Sequence, residues 1–164
     1  MIVGILSDTH GKADAATRGI ELLLAAGAEY LIHCGDVGGE SVLDTLTTLP
    51  AAFVFGNNDY DHRDLAEYAN AVGVRCLGTD GVIELDGKSI AVTHGDVPRL
   101  ISRYTAADAG IDYLLTGHSH VPHDRRAGRV RWINPGALYR ATPKTVATLD
   151  LATDTLTTIA VPGL

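Results

Sequence analysis

Ile2-Val3-Gly4-Ile5-Leu6-Ser7-Asp8-Thr9-His10-Gly11 decides the fold. Its first residues form a short, continuously apolar run, the pattern of a strand buried on both faces. The run stops abruptly at an aspartate, a histidine and a glycine. The same unit then recurs. Residues from about Asp14 to Ala26 have helical spacing, with Ala16, Ile20, Leu23 and Leu24 on one side and Gly27 as a stop. Tyr30-Leu31-Ile32-His33-Cys34 is a second strand and ends in Gly35-Asp36. A helix from about Glu40 to Leu49 is ended by Pro50. Ala52-Phe53-Val54-Phe55 is a third strand, ending in Gly56-Asn57-Asn58-Asp59, and Asp61 stands as the N-cap of a helix to about Val72. Strand and helix in alternation imply parallel strands with crossover helices. Sites in such sheets form beyond the carboxyl ends of the strands.

The second half changes character. Val82-Ile83-Glu84-Leu85 and Ser89-Ile90-Ala91-Val92 flank Asp86-Gly87-Lys88, a hairpin signal, and the second strand ends in Thr93-His94-Gly95-Asp96. A helix is expected from about Pro98 to Ala109. The apolar run Tyr113-Leu114-Leu115 leads into Thr116-Gly117-His118-Ser119-His120, where the glycine ends the strand and Pro122 prevents it from resuming. Val130 to Ile133 ends in Asn134-Pro135-Gly136, and strands at Thr145–Leu151 and Thr155–Val161 close the chain as a hairpin. With neither repeat nor linker, the pattern fits one domain over residues 1–164, built on one mixed sheet or two stacked ones.

A chain of 164 residues can bury roughly 70% of its unfolded surface and needs no staples. Its two cysteines, Cys34 and Cys76, lie in apolar strand-like surroundings and read as core residues of a reduced cytoplasmic protein. Ser7-Asp8 interrupts the first apolar run too early for a signal peptide, and no run reaches the roughly 18 residues of a membrane span. A net charge of -7 argues against a protein that grips long nucleic acid through its phosphates, which needs a basic face. A small anionic substrate at a metal centre remains compatible, because a bound divalent ion dominates its own surroundings.

Collected from the strand ends, Asp8, His10, Asp36, Asn57, His94, His118 and His120 offer two carboxylates, an amide oxygen and four imidazoles. Taken singly, each has a bland reading: Asp8 or Asp36 could cap a helix, Asn57 could hold a turn, and His94 could be a loop residue. Together they make up about the inventory of a two-metal site with a shared carboxylate. On a regular strand His118 and His120 would face opposite ways, but a loop opened by Gly117 can bring both rings to one point, or to two points close together.

The series Asp8-x-His10, Gly35-Asp36, Gly56-Asn57-x-Asp59, His94-Gly95-Asp96 and Gly117-His118-x-His120 resembles the calcineurin-like metallophosphoesterases, in particular their small bacterial and archaeal phosphodiesterase branch. The resemblance implies an α/β fold, a four-layer sandwich of two mixed β-sheets flanked by α-helices. It implies two divalent ions: Asp8, His10, Asp36 and His120 around the first, and Asp36, Asn57, His94 and His118 around the second, with Asp36 bridging. Asp36, Asn57, Asp59 and His94 are then catalytic, and Asn57, Asn58 and His94 meet the substrate. The mixed nitrogen and oxygen donors suit manganese first, with nickel, iron, cobalt or zinc as alternatives. Two such ions, two carboxylates and a bridging hydroxide sum to about one positive charge, suited to a phosphodiester monoanion. The reaction implied is direct attack by that hydroxide on a small phosphodiester. Small relatives often form dimers or tetramers.

One position departs from the general pattern. Many relatives have a histidine after the Gly-Asn pair, proposed to protonate the leaving group, and here that residue is Asn58. His62 and His123 are candidate substitutes, His33 reads as a hydrogen-bonded core residue, and Asn134 as support behind a metal ligand. Arg125, Arg126, Arg129 and Arg131 read as a solvated hairpin more readily than as a phosphate contact. The rival function is a protein-interaction scaffold like the related retromer subunit, with a vestigial metal site and an apolar docking surface.

Overall fold

The computed structural model describes residues 1–163, so Leu164, the last residue of the expected domain, lies outside the described residues. In chain order the elements are β1 (Ile2–Leu6), α1 (Ala13–Ala25), β2 (Tyr30–His33), α2 (Glu40–Leu46), β3 (Ala51–Phe53), α3 (His62–Val72), β4 (Arg75–Cys76), β5 (Asp80–Leu85), β6 (Lys88–Thr93), α4 (Pro98–Tyr104), β7 (Tyr113–Leu115), β8 (His123–Ala127), β9 (Val130–Asn134), β10 (Thr145–Asp150) and β11 (Thr155–Ala160). No helix among the described residues is long and apolar enough to cross a membrane.

The period-2 alternation of the strands sorts their side chains into three apolar layers. Val3 and Ile5 of β1 and Ile32 of β2 meet Ile90, Val92, Leu115 and Ile133 from the second half of the chain. Leu6, Leu31 and Phe53 point the other way, onto Ala16, Ile20 and Leu23 of α1 and Val42, Leu43 and Leu46 of α2. On the far side, Ala91 and Leu114 pack against Ile101 and Tyr104 of α4. The layers are therefore helices, sheet, sheet, helix. Each fully buried aliphatic or aromatic side chain contributes roughly 1.5–3 kcal/mol to this packing.

The first sheet has the order β11-β10-β1-β2-β3-β4 and the second β5-β6-β7-β9-β8. β1 to β4 run parallel to one another, and so do β6, β7 and β9. β10 pairs antiparallel with β1, while β5 and β8 are antiparallel edges. Both sheets are thus mixed, and the loops that follow β1, β2, β3, β6 and β7 meet at one end of the sandwich.

Some boundaries differ from the sequence reading. α2 stops at Leu46, and Thr47, which follows it, bonds back to the Asp44 carbonyl through both its amide and its hydroxyl. α4 stops at Tyr104 rather than Ala109, with the amide and hydroxyl of Thr105 both turned to the Ile101 carbonyl. Asp61 stands before α3, but its side chain makes no capping hydrogen bond, because its φ of -91° and ψ of 56° lie outside the usual capping geometry. β8 was not marked as a strand in sequence because His123-Asp124-Arg125-Arg126-Ala127 has no apolar alternation. It is an edge strand held by β9.

Arg131 accounts for much of the basic cluster. Its guanidinium is buried, donates to both oxygens of Asp124 at 2.9 and 2.7 Å, and reaches Asp154 Oδ1 at 2.7 Å. Arg126 donates to Asp154 Oδ2 and Tyr113 Oη donates to Oδ1, each at 2.8 Å. Asp154 lies in the β10–β11 turn of the first sheet, so these contacts clasp it to the second. Arg131→Ala leaves both carboxylates without this donor, and since they are about half exposed the loss should be about 2 kcal/mol, read as a lower urea midpoint. A change under about 0.5 kcal/mol would remove the clasp from the account of stability.

Candidate metal centre

Five of the seven strand-end residues adopt the left-handed backbone region: Asp8 at φ 54°, His10 at 46°, Asp36 at 55°, His118 at 66° and His120 at 58°. For residues other than glycine this conformation costs roughly 1–2 kcal/mol each. It breaks the strand alternation, so that neighbouring residues serve one centre. Close approach adds a second constraint. A Cβ on Gly56 would lie 2.1 Å from Asp36 Oδ1, and one on Gly117 would lie 1.9 Å from Ser7 Oγ and 2.7 Å from Asp8 Oδ2. These two motif glycines leave room for ligands from the adjacent loops.

The side chains meet in two halves. Asp8 Oδ1 lies 3.2 Å from His120 Nε2, and the His10 and His120 rings stand 5.8 Å apart edge to face. In the other half the His94 and His118 rings are 5.2 Å apart, and His118 Nδ1 lies 3.0 Å from Asn57 Oδ1. Asp36 Oδ2 sits between the halves, 3.4 Å from both His10 Nε2 and His94 Nε2. Donor atoms of Asp8, His10 and His120 lie within 4.8 Å of one another, as do those of Asp8, Asp36 and His94. All seven residues named from the sequence are therefore brought together. Asn57 and His118 lie at the exposed edge.

The protonation pattern tests whether this donor set fits a metal. His94 is fully buried, and its Nδ1 is 2.8 Å from the Cys34 carbonyl, which can only accept, so that nitrogen carries the proton. In the neutral ring, His94 Nε2 then presents a lone pair to two carboxylates. His94 Nε2, His10 Nε2 and Asp8 Oδ1 are buried with no hydrogen-bond partner. Unpaired acceptors facing one another are costly unless a cation lies among them. Burial works to lower the His94 pKa, but contact with Asp36 and the charge of Asp8 bring it up to about 8. Burial pushes Asp8 above the usual carboxylate range. Asp36 is also desolvated, yet the adjacent His94 ring and two hydrogen bonds from Asn58 hold it far below that range. The set fits divalent transition-metal ions, the class that imidazole and carboxylate together favour.

Three surrounding groups hold the loops of the centre in place. Asp59, expected in the catalytic set, is not part of the cluster: its Oδ2 accepts from the Val37 and Gly56 amides at 3.1 and 2.9 Å, and its Oδ1 from Gly38 at 2.8 Å. It stitches the Asp36 loop to the Asn57 loop. Asn58 donates its backbone N–H and its Nδ2 to the two oxygens of Asp36, each at 2.8 Å. Asn134 donates Nδ2 to the Gly117 carbonyl at 2.6 Å and so fixes the histidine loop through its backbone.

A cleft of about 330 Å³ opens on the cluster, lined by His10, Asp36, Asn57, Asn58, His118, His120, Tyr139 and Arg140. Tyr139 and Arg140 were not singled out in sequence, although they follow the Asn134-Pro135-Gly136 strand end. His62 stacks on Phe55 at 4.0 Å in a neighbouring cleft that also includes Asn57. His123 instead packs edge-on against Trp132 at 5.1 Å, on another surface.

The four-layer fold and its histidine–carboxylate centre define a class, and residues 1–154 match the calcineurin-like phosphoesterase superfamily domain. The chain belongs to that family. It is 32% identical over 148 residues to a probable metallophosphoesterase of Methanocaldococcus jannaschii, covering 84% of this chain and 68% of that protein. A phosphodiesterase of the same archaeon is 29% identical over 140 residues, with 83% of each chain covered. Among solved structures, one described as a novel archaeal phosphodiesterase superposes with a TM-score of 0.89 at 25% identity, over 98% of this chain and 99% of that one. Vps29 from Entamoeba histolytica shares the fold at a TM-score of 0.63 and 17% identity, over 98% of this chain and 99% of that one.

His33 braces the centre from behind. The Gly35 amide donates to its Nδ1 at 3.2 Å, so the ring proton sits on Nε2, which donates to Thr9 Oγ1 at 2.9 Å. Thr9 passes its own proton to the Val37 carbonyl at 3.0 Å. Burial and the nearby His94 lower the His33 pKa from the ordinary 6.5 to about 3. A neutral ring in the fold that gains a proton when unfolded contributes stability that is complete above pH 6.5. That stability is lost as pH falls towards 3. With chelator present, the urea midpoint should fall between pH 6.5 and 4.5, and less steeply in His33→Gln. Parallel curves for the two proteins would refute this role.

Proposed function

We propose that the chain is a metal-dependent phosphodiesterase acting on a small phosphodiester. The supporting observation is the buried meeting of Asp8 and Asp36 with the unpartnered Nε2 atoms of His10 and His94. Asp8, His10, Asp36 and His120 would hold one divalent ion, and Asp36, Asn57, His94 and His118 a second, with manganese the first choice and nickel, iron, cobalt or zinc the alternatives. Two such ions supply a deprotonated water and Lewis-acid contacts to the phosphoryl oxygens. Among the described residues no serine, threonine or cysteine lines the cleft, and Cys34 is fully buried, which favours water over a hydroxyl or thiol side chain as the attacking group. Asn58 fixes Asp36 at the boundary between the two ion sets. The reading takes residues 1–164 as one domain.

The scaffold reading rests on the shared fold with Vps29. A scaffold has no need of five left-handed ligand residues and a buried carboxylate pair, so enzyme is the stronger reading. The decisive assay is hydrolysis of bis(p-nitrophenyl) phosphate by metal-stripped protein with manganese, nickel, cobalt, zinc or magnesium restored. Metal-dependent turnover should fall at least about a hundredfold in both Asp36→Asn and His94→Ala. Tight binding of two ions without turnover on any diester would support the scaffold instead.

Asn58 cannot donate a proton and remain as a stable anion, so leaving groups must depart with little help. General acids supply roughly 10²–10⁴-fold in rate. Log kcat should therefore fall steeply with rising leaving-group pKa across a series of aryl methyl phosphates. A flat dependence that becomes steep in His62→Ala would instead assign the proton to His62.

A further inference from the structure

We propose that Arg140, together with Lys12, seats a second anionic group of the substrate, so that the diester hydrolysed carries an additional phosphate or carboxylate. This rests on the phosphodiesterase reading and narrows its substrate class.

Tyr139 is the platform. Its ring lies 5.0 Å from the ring of His10, one of the candidate metal ligands. The Arg140 guanidinium stands over the same ring at 5.1 Å from its centroid and the Lys12 ammonium at 5.6 Å, both within the range at which a cation is attracted to an aromatic face. Arg140 also lines the cleft that opens on the cluster, so positive charge stands at the rim of the metal centre.

Among the described residues, four of the ten arginines pair with carboxylates. Arg63, Arg103, Arg126 and Arg131 all make ion pairs, and among the described residues no carboxylate pairs with Arg140 or Lys12. Arg140 also has a left-handed backbone at φ 46°, the only arginine among the described residues that does. Strain of this kind persists where the surroundings hold a residue to a task.

Charge decides what the seat takes. The two ions, Asp8, Asp36 and a hydroxide already match a diester monoanion, which leaves Arg140 and Lys12 as surplus positive charge. The other side of the centre is opposite in character. The neighbouring cleft of about 320 Å³ that shares Asn57 is lined by Asp59, Asp96 and the aromatic Phe55, Tyr60 and His62. A second anion is repelled there and attracted to the Tyr139 side. A planar guanidinium suits phosphate or carboxylate, which accept two hydrogen bonds from it.

The test compares two substrates with the same scissile bond and leaving group, thymidine 5′-(p-nitrophenyl phosphate) and its 3′-phosphorylated form. Metal-loaded wild type should favour the 3′-phosphate by about tenfold in kcat/KM, the low end for a hydrogen bond to a charged group. Arg140→Gln should bring the ratio close to one, and Lys12→Gln part of the way. Calorimetry supplies a second readout without turnover, in which thymidine 3′,5′-bisphosphate binds wild type about tenfold more tightly than thymidine 5′-phosphate and Arg140→Gln abolishes the difference. Equal binding of the two nucleotides by wild type would overturn the seat. So would an Arg140→Gln protein that is slower on both esters with the preference intact, since the guanidinium would then act on the scissile phosphate. If no diester is cleaved, bis(p-nitrophenyl) phosphate included, the reaction class fails, while the calorimetric comparison still decides the seat.

Discussion

Two buried carboxylates face imidazole lone pairs, and the chain supplies no cation to lie among them. Asp8 is fully buried and Asp36 nearly so. Much of the surrounding structure reads as a means of maintaining that arrangement. The left-handed residues turn the ligands inward, Gly56 and Gly117 let neighbouring loops approach, and Asp59 gathers three amides so that the loops bearing Asp36 and Asn57 move together. Summed over five residues, the backbone cost is roughly 5–10 kcal/mol, comparable with the net stability of a whole domain. Only a packed scaffold on both sides can hold it.

That scaffold was largely legible in the sequence. Ile2–Ser7, Tyr30–Cys34 and Ala52–Phe55 read as parallel strands because burial on both faces removes polar alternation, and the two stacked sheets were one of the arrangements left open. The resemblance then named the four-layer sandwich. The candidate ligands were legible because each follows a strand and lies beside a glycine or another polar residue. β8 escaped because a polar edge strand is defined by its partner. The ends of α2 and α4 escaped because threonine side chains compete for helix carbonyls, which no apolar pattern records.

Within the centre, residue types were easier to read than the direction a side chain takes. Asp59 looked like a catalytic acid beside Asn57, but three backbone amides occupy it. His33 was marked as a core histidine, and its link through Thr9 to Val37 depends on loop geometry. The arginine cluster after the histidine loop drew attention, yet Arg131 and Arg126 are committed to Asp124 and Asp154. Arg140 and Lys12, 128 positions apart in the chain, make no ion pair among the described residues, and each stands over the ring of Tyr139 beside the centre.

The clasp at Asp154 has a mechanical consequence. Tyr113 and Arg131 stand at the starts of β7 and β9, while His118 and His120 follow the end of β7. The two sheets are like the leaves of a book, riveted along one edge by protein contacts alone. The opposite edge brings Asp8, His10, Asp36 and Asn57 from one leaf against His94, His118 and His120 from the other, and nothing covalent joins them. The His118 amide donates to Asp8 and the His94 ring meets the Cys34 carbonyl across this edge, so it has its own protein fastening, and an ion seated there would add a second one.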